Sequence, residues 1–354
     1  MPAINVKDFN FVKQKFGKME TTEINNPGSN PWLVINKNLE KYQKPNLRKS
    51  LWQIADSLIP YVGLWILIVY SLSVSYWLTA FLIILAAGFL VRLFIIFHDC
   101  GHGSYFKSQK TNRMVGMFFG ILAFTPYDKW HNQHSRHHGT VGNLDKRGVG
   151  DIWTMTKEEY QACTKWERLK YRVYRNPVVM FGIGSLFVFL IVNRLIQKGM
   201  TGKEKTNIWI TNAALLIVIV VMSLAIGFVP YLIIQLSILY IAAISGLWLF
   251  YLQHQYENVT WFRNKDWNYR TVAIEGSSFV KFPKLLQWFS GNIGFHHIHH
   301  LNARIPNYNL SRVYRENSVF KEVKPVTFIM SLRSLKLRLW DEQIQKMVSF
   351  SGRM

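Results

Sequence analysis

The sequence lacks the signatures of several common protein classes. Its only two cysteines, Cys100 and Cys163, form no CxxC pair, which argues against a disulfide framework and against a thiolate zinc site. The sequence shows no internal repeat and no low-complexity segment. The first fifty residues carry nine Lys and Arg but lack the apolar core of a cleaved secretory signal. We therefore expect neither a small secreted domain nor a repeat protein.

Acidic residues are scarce, and charge of either sign is missing from long stretches. Twenty Asp and Glu stand against 42 Lys and Arg, which gives a formal net charge of +22. So basic a chain would usually bind nucleic acid. However, residues 207–253 contain no Lys, Arg, Asp or Glu, and residues 51–97 contain only Asp56 and Arg92. The basic residues therefore lie between apolar blocks, which predicts a membrane protein without a nucleic-acid partner.

The apolar blocks predict four transmembrane helices. A helix needs about 20 apolar residues to cross a bilayer, and the qualifying segments are 54–74, 76–97, 208–229 and 231–253. Two shorter runs, 114–127 and 177–192, can lie in the membrane interface instead. We therefore expect an all-α integral membrane protein with two hairpins of spans, interfacial helices and a cytosolic helical cap. Residues 331–340 (SLRSLKLRLW) fit either an amphipathic helix or a strand.

Histidine is confined to a few places in the chain. Ten of the eleven histidines lie in three stretches, HDCGH, HNQHSRHH and HHIHH, and the eleventh, His254, follows the last apolar run. Helical spacing of i, i+3 or i+4 puts side chains on one face of a helix. It relates His98 to His102, then His134, His137 and His138, and finally His296, His299 and His300. This pattern favours a metal site over chance surface imidazoles or a lipid-binding rim, where Lys and Arg would be preferred.

A shared metal site fixes the predicted topology. All three stretches and His254 must emerge on one side of the membrane, so the run 114–127 cannot cross it. Of the three apolar runs between His138 and His254 an even number must cross, and the shortest, 177–192, is the one that should not. The uncharged connections 71–75 and 227–230 then lie outside, and nearly all Lys and Arg lie inside, as the positive-inside rule expects. In a plasma membrane both termini would be cytoplasmic. The expected segments are a loosely ordered basic tail (1–50), a main domain (51–350), and cytosolic parts at 98–207 and 254–354.

Ligand chemistry narrows the choice of metal. A catalytic zinc takes three protein ligands and water, whereas nine imidazoles suit two metals with four or five nitrogens each. Imidazole binds Zn, Cu, Fe and Ni alike, and the Glu and Glu-x-x-His sets of soluble di-iron bundles are absent. A zinc-dependent membrane hydrolase and a metal transporter are alternatives, although a transporter would carry ionisable residues within its spans.

The three stretches also resemble the histidine boxes of membrane fatty-acid desaturases, in the forms HxxxH, HxxHH and HxxHH. Further similar segments are NLDKRGVGDIW, WLFYLQH, EGSSF, PKLLQW and RLWDE. The resemblance covers about residues 51–350, and the nearest type is the delta-5 acyl-lipid desaturase of bacilli. One departure concerns Phe250, since the animal acyl-CoA branch has a water-holding Asn at that position. This difference and the shorter first box favour the acyl-lipid branch.

The resemblance implies an oxygen-dependent enzyme that holds two iron ions and removes two hydrogens from adjacent methylenes of an acyl chain. The implied iron ligands are His98, His102, His134, His137, His138, His254, His296, His299 and His300, and we expect no catalytic side chain beyond them. His297 lies off its helical face and should point away. Ligating imidazoles need partners for their second nitrogen, and the candidates are His131, Asp99, Asp145, Asp151, Glu257, Glu275 and Asn292.

Substrate, oxygen and electrons must then come from outside the chain. We expect membrane phospholipid acyl chains to enter an apolar slot. Trp130 and Trp153 flank the second histidine stretch and either line this slot or, in the more common role of tryptophan, anchor the protein at the interface. No haem segment, dinucleotide fingerprint or iron–sulfur cysteine set is present, so a separate acidic carrier, ferredoxin or flavodoxin, should dock on the basic face. A hydroxylase or ketolase on the same scaffold is an alternative, because the ligand set barely distinguishes these reactions.

Overall fold

The computed structural model describes residues 31–352. Its helices in chain order are α1 (Pro31–Glu40), α2 (Leu47–Ser71), α3 (Tyr76–Gly101), α4 (Gln109–Leu122), α5 (Tyr127–Thr140), α6 (Lys157–Ala162), α7 (Lys165–Tyr174), α8 (Ser185–Leu190), α9 (Gly202–Ile226), α10 (Phe228–His254), α11 (Tyr269–Glu275), α12 (Lys284–Phe289), α13 (His296–Leu301), α14 (Asn307–Glu316) and α15 (Phe328–Ser334). A π-helical turn, Val178–Gly184, precedes α8, and 3-10 turns occupy Val192–Arg194 and Ser318–Glu322.

Five short strands accompany the helices. They are β1 (Met155–Thr156), β2 (Phe279–Val280), β3 (Pro325–Val326), β4 (Leu339–Asp341) and β5 (Lys346–Val348). β4 lies between β1, which is parallel to it, and β5, which is antiparallel, while β2 and β3 form a separate parallel pair. These strands join distant parts of the chain, but the described chain remains mostly helical, as predicted.

Four helices, α2, α3, α9 and α10, are long and apolar enough to cross a membrane, as the sequence predicts. They start or end beyond the apolar windows because helices continue into polar sequence until a cap stops them. Asn46 accepts a hydrogen bond from Lys49 N at the start of α2, and Thr201 begins α9 with a capping box. Gly227 joins α9 to α10 with φ at 87°, a conformation that favours glycine.

The segment between α6 and α9 contains a sharp bend. α7 and residues 178–194 are long and apolar enough for a fifth crossing only when they are taken together, and the axes of the two segments are bent by 64°. The bend follows Asn176 and Pro177, and proline disrupts helical hydrogen bonding. α9 and α10 by themselves return the chain to the side from which it came. The bent pair therefore fits an interfacial segment, as does α4, which is too short to be counted as a span.

The central span is α3. It packs against α2, α4 and α10, and Ala86, Leu93, Ile96 and Phe97 on it are completely buried. Because each neighbour covers a different face, α3 is apolar nearly all round, as expected of an interior helix. Its last turn carries the first histidine stretch into the cap, by which we mean residues 127–176 and 255–352.

Two expectations about the ends of the chain need correction or refinement. Residues 1–30 lie outside the described residues, but the rest of the basic tail is not loose: α1 buries Ile35 and Leu39, and Tyr42 follows them into the same apolar cluster. These three residues are spaced i, i+4 and i+7, which places them on one face of an amphipathic helix. The many basic residues around them mask this pattern in the sequence. Residues 331–340 contain both predicted alternatives, since α15 ends at Ser334 and β4 begins at Leu339.

Candidate metal centre

Nine histidines from four separate parts of the chain meet at one place. One potential ligand atom from each of five of them lies within 4.8 Å of the others, and three more form a second such group. The ninth, His296, joins the second group, because its Nε2 lies 3.0 Å from that of His254. The first group is His98, His102, His134, His138 and His299. The second is His137, His254, His300 and His296.

Helical spacing explains how two short helices serve both groups. In α5, His134 and His138 are one turn apart and belong to the first group, whereas His137 turns to the second. In α13 the arrangement is reversed, because His296 and His300 serve the second group and His299 serves the first. Each HxxHH stretch therefore divides two to one between the groups, since i and i+4 share a face that i+3 only partly shares.

The spacing of the ring nitrogens is that of ligands around common ions. Nε2 of His134 lies 3.1 Å from that of His102 and 3.2 Å from that of His138, and His137 and His254 are 3.2 Å apart at Nε2. A ring nitrogen carries either a proton or a lone pair. Hydrogen bonds alone therefore do not readily account for several Nε2 atoms that contact one another in succession. Two nitrogens each about 2.1 Å from one ion and at right angles would be about 3.0 Å apart.

The protonation of the imidazoles also suits a metal. Burial, and next to it the charge of neighbouring imidazoles, holds the pKa well below the usual value for the histidines of this cluster outside the spans: His102, His134, His138, His296, His299 and His300. The neutral ring is the form that binds metals. The donor set therefore fits two metal ions, one in each group.

Oxygen atoms fix the orientation of three of these rings. Nδ1 of His98 lies 3.1 Å from Asp99 Oδ1, and Nδ1 of His137 bonds Asp151 Oδ1. His254 donates from Nδ1 to the carbonyl of Gly276 at 3.1 Å. A proton held at Nδ1 leaves the lone pair at Nε2, so each ring points its free nitrogen at the cluster.

The other sequence candidates lie away from the ligand rings. His131 is exposed and stacks on Tyr127 with the ring centroids 6.1 Å apart. Asp145 is engaged by Arg263 and by the backbone of Asn264, and Asn292, a turn residue with φ at 61°, donates to Asn307 O. The contacts of these three side chains are therefore with groups other than the clustered imidazoles. For Asp145 and Asn292 the sequence could not show this, because spacing along the chain does not tell which way a loop side chain turns.

Two further candidates and one predicted non-ligand complete the survey. The carbonyl of Glu275 accepts from Tyr256, and Glu257 is exposed. His297 is completely buried but faces the rings of Phe279 and Phe320. Burial lowers its pKa to about 3. Its ring is turned toward these apolar side chains and is in neither group of potential ligands.

Sequence reasoning missed Asn307 and Gln53. Asn307 is completely buried, donates twice to Asp99 Oδ2 and accepts from Gln53 at 2.8 Å. An asparagine after a proline indicates a helix start, and a glutamine early in a span indicates an interface position. Neither residue type alone could have revealed a contact between segments more than 200 residues apart.

An apolar cavity of about 300 Å³ adjoins the histidines. His98, His134 and His296 line one part of it, and the rest lies between α3, α8 and α10. Trp130 also lines it and stacks on His134 with the ring centroids 4.3 Å apart, so of its two expected roles the structure supports lining the slot over anchoring at the interface. Trp153, by contrast, is 39% exposed. The arrangement places an apolar cavity of the membrane domain directly beside the two groups of imidazoles.

Comparison with known proteins agrees with this geometry. A family model described as "Fatty acid desaturase" matches residues 75–327. A "Fatty acid desaturase" of Bacillus subtilis (strain 168) is 45% identical over 89% of this chain and 90% of its own length. An "sn-1 oleoyl-lipid 12-desaturase" of Anabaena variabilis is 26% identical over 84% of this chain and 85% of its own. An "sn-1 acyl-lipid omega-3 desaturase (ferredoxin)" of Synechocystis is 27% identical over 62% of each chain. The chain belongs to the fatty acid desaturase family.

Proposed function

We propose that this desaturase acts on acyl chains esterified in membrane phospholipids and introduces a cis double bond with O2 as oxidant, the delta-5 position being the one its sequence favours. Two electrons and two protons enter with each O2, the –CH2–CH2– unit loses two hydrogens, and two waters leave. The observation that carries the proposal is the contact between an apolar cavity and two groups of imidazoles.

Iron is the metal proposed for both groups. His98, His102, His134, His138 and His299 would hold one ion, and His137, His254, His296 and His300 the other. Two bound irons would supply the oxidising power that removes hydrogen from an unactivated methylene. A zinc hydrolase needs only three protein ligands and a free general base, whereas Asp99 and Asp151 each already bond an imidazole.

The chain itself positions the substrate and keeps the site dry. Trp130 stacks on His134, and Phe250 covers His137 and His254 with centroids 5.2 and 5.3 Å away. These rings would confine a flexible acyl chain so that one C–C bond stays beside the metals. They also separate the site from water, which protects a reactive intermediate.

An acyl-lipid substrate and a ferredoxin donor are supported by the relatives. The Synechocystis protein is named for both an acyl-lipid substrate and ferredoxin, and the Anabaena protein for an oleoyl lipid. A net charge of +22 favours an acidic carrier such as ferredoxin or flavodoxin. The excess of Lys and Arg outside the spans supports the proposal of a plasma-membrane protein with both termini in the cytoplasm.

Expression in a host without desaturases tests the proposal. Phospholipid acyl chains would be analysed by mass spectrometry with localisation of the double bond, with and without oxygen. We expect oxygen-dependent unsaturated products from the natural chain and from His131→Ala, and none from His134→Ala. Hydroxylated acyl chains instead of alkenes would favour a hydroxylase, and unchanged lipids from a metal-loaded protein would refute the proposal.

A further inference from the structure

One face of α10 lines the cavity over much of the length of the helix. Leu239, Ala242, Gly246, Phe250 and Gln253 all border it, and their spacing of three or four residues keeps them on one face. At 1.5 Å per residue, Leu239 and Gln253 are separated by about 21 Å along the helix axis. The cavity therefore follows α10 from the metal centre into the membrane domain.

The metal end of this face is marked by Phe250, whose ring contacts His137 and His254. Gly246 lies about 6 Å further from the metal centre along the helix. Beyond it the lining is apolar and includes Leu90, Val91 and Leu239. Only the methyl end of an esterified acyl chain suits such a lining, because the other end carries the polar headgroup.

Gly246 is a glycine that helix packing does not require. A Cβ added to it would meet no atom within 4 Å, whereas one added to Gly88 would lie 3.2 Å from the ring of Phe289, and one added to Gly120 only 2.5 Å from Thr125 O. Its φ is not in the left-handed region. Glycine inside a helix costs about 1 kcal/mol relative to alanine. What the missing side chain does provide is free width in the cavity.

We propose that Gly246, because it has no side chain, leaves the width that the cavity needs to hold the part of a long acyl chain beyond the reacting methylenes. The size of the residue at this position would then determine which chain lengths are accepted. This inference rests on the proposed function. A larger side chain at position 246 would shorten the space available toward the methyl end. Short acyl chains would still reach the metals with their reacting bond in place, and long ones would not.

The test compares Gly246→Ala and Gly246→Leu with the natural chain in the desaturase-free host, which is fed saturated fatty acids of graded length. One methylene in a hydrophobic pocket changes discrimination about 10-fold or more. Gly246→Leu should therefore raise the ratio of short to long unsaturated products at least about tenfold, with Gly246→Ala in between. The matched control is Gly63→Leu in α2, where an added Cβ also meets nothing within 4 Å but which does not line the cavity.

The outcomes separate this inference from the proposed function. If the natural chain makes no oxygen-dependent alkene, the proposed function fails. If the natural chain is active and both Gly246 variants keep its profile, the inference is refuted. It is also refuted if both variants lose activity equally toward all chain lengths, because a steric limit in the cavity would spare short substrates. It is refuted as well if Gly63→Leu shifts the product profile as much, because the limit depends on position.

Discussion

Asn307 holds Asp99 through two hydrogen bonds to the same carboxylate oxygen. Its backbone N lies 2.6 Å and its Nδ2 2.8 Å from Asp99 Oδ2, while Oδ1 of Asp99 faces Nδ1 of His98. Gln53 in α2 donates to Oδ1 of Asn307 at 2.8 Å. The first histidine stretch is thus fixed by residues from α2, α3 and α14. Both oxygens of the Asp99 carboxylate have a polar partner in this arrangement.

Replacing Asn307 with Leu should weaken iron binding without unfolding the protein. Asp99 would lose the side-chain bond, so His98 would be less firmly oriented, and loss of an outer partner of this kind costs about 10- to 100-fold in metal affinity. Chelator competition on the purified protein measures this affinity, and thermal unfolding of the metal-free protein checks the fold. The matched control is Asn309→Leu in the same helix, whose side chain bonds Tyr42 O instead. Equal iron affinity in the two variants would contradict a positioning role.

Asp151→Asn should affect the second group of histidines alone. The carboxylate receives Nδ1–H of His137, and a neutral amide in its place would lower the basicity of Nε2. We expect roughly tenfold weaker binding of one of two irons, so that limiting chelator removes one ion sooner. The control, Asp145→Asn, removes a carboxylate bound to Arg263 and should leave both ions in place. Simultaneous loss of both irons in Asp151→Asn would show that the groups are not independent.

The sequence predicts the spans and the i, i+4 pairs of histidines because both follow from local spacing, but it does not predict that His137 and His299 serve a different group from their neighbours in the same helix. Long runs without charge can only be buried or in lipid, and i, i+4 pairs point the same way wherever the helix lies. It does not predict the position of Asp145 or Asn292, because loop side chains take their direction from tertiary contacts. Nor could it find Asn307, whose role depends on three segments meeting. Trp130 shows a related limit, since interface and cavity positions favour the same residue type.

The ion pair between Asp56 and Arg92 joins the first two spans and should show strong coupling. Arg92 contacts Asp56 at 3.2 Å, and its guanidinium lies 3.8 Å from the centroid of Trp288 in α12. Arg92 is buried and Asp56 is half-buried, so removing Asp56 leaves a buried charge without its counter-ion, at a cost of up to roughly 3 kcal/mol. Asp56→Leu should therefore destabilise the protein more than Asp56→Leu combined with Arg92→Met. The free energies of unfolding of the natural chain, the two single variants and the double variant, measured in detergent, give the coupling energy. If the effects of the single substitutions simply add up in the double variant, the two residues are not coupled.

Lys129 should make stability depend on alkaline pH. Its Nζ is buried and donates to the carbonyls of Val192 and Leu195, and burial lowers its pKa from 10.5 to about 8. Between these two values the unfolded chain binds a proton that the folded protein has released, so stability rises with pH. The stability of the natural chain relative to Lys129→Met should accordingly increase from pH 8 to 10.5. A difference that stays constant over this range would contradict the lowered pKa.

His297 and His134 offer the sharpest contrast between a buried histidine and a ligand. His134 has Nε2 within 3.2 Å of two other ring nitrogens, whereas the ring of His297 faces Phe279 and Phe320. His134→Ala should lose iron and activity together. His297→Leu fills the same apolar space and removes a buried imidazole, a polar group whose burial costs about 1–3 kcal/mol where it is incompletely hydrogen-bonded. We therefore expect it to bind two irons and to be at least as stable as the natural chain. Iron analysis together with thermal unfolding decides the matter, and an iron-free His297→Leu would place this ring among the ligands.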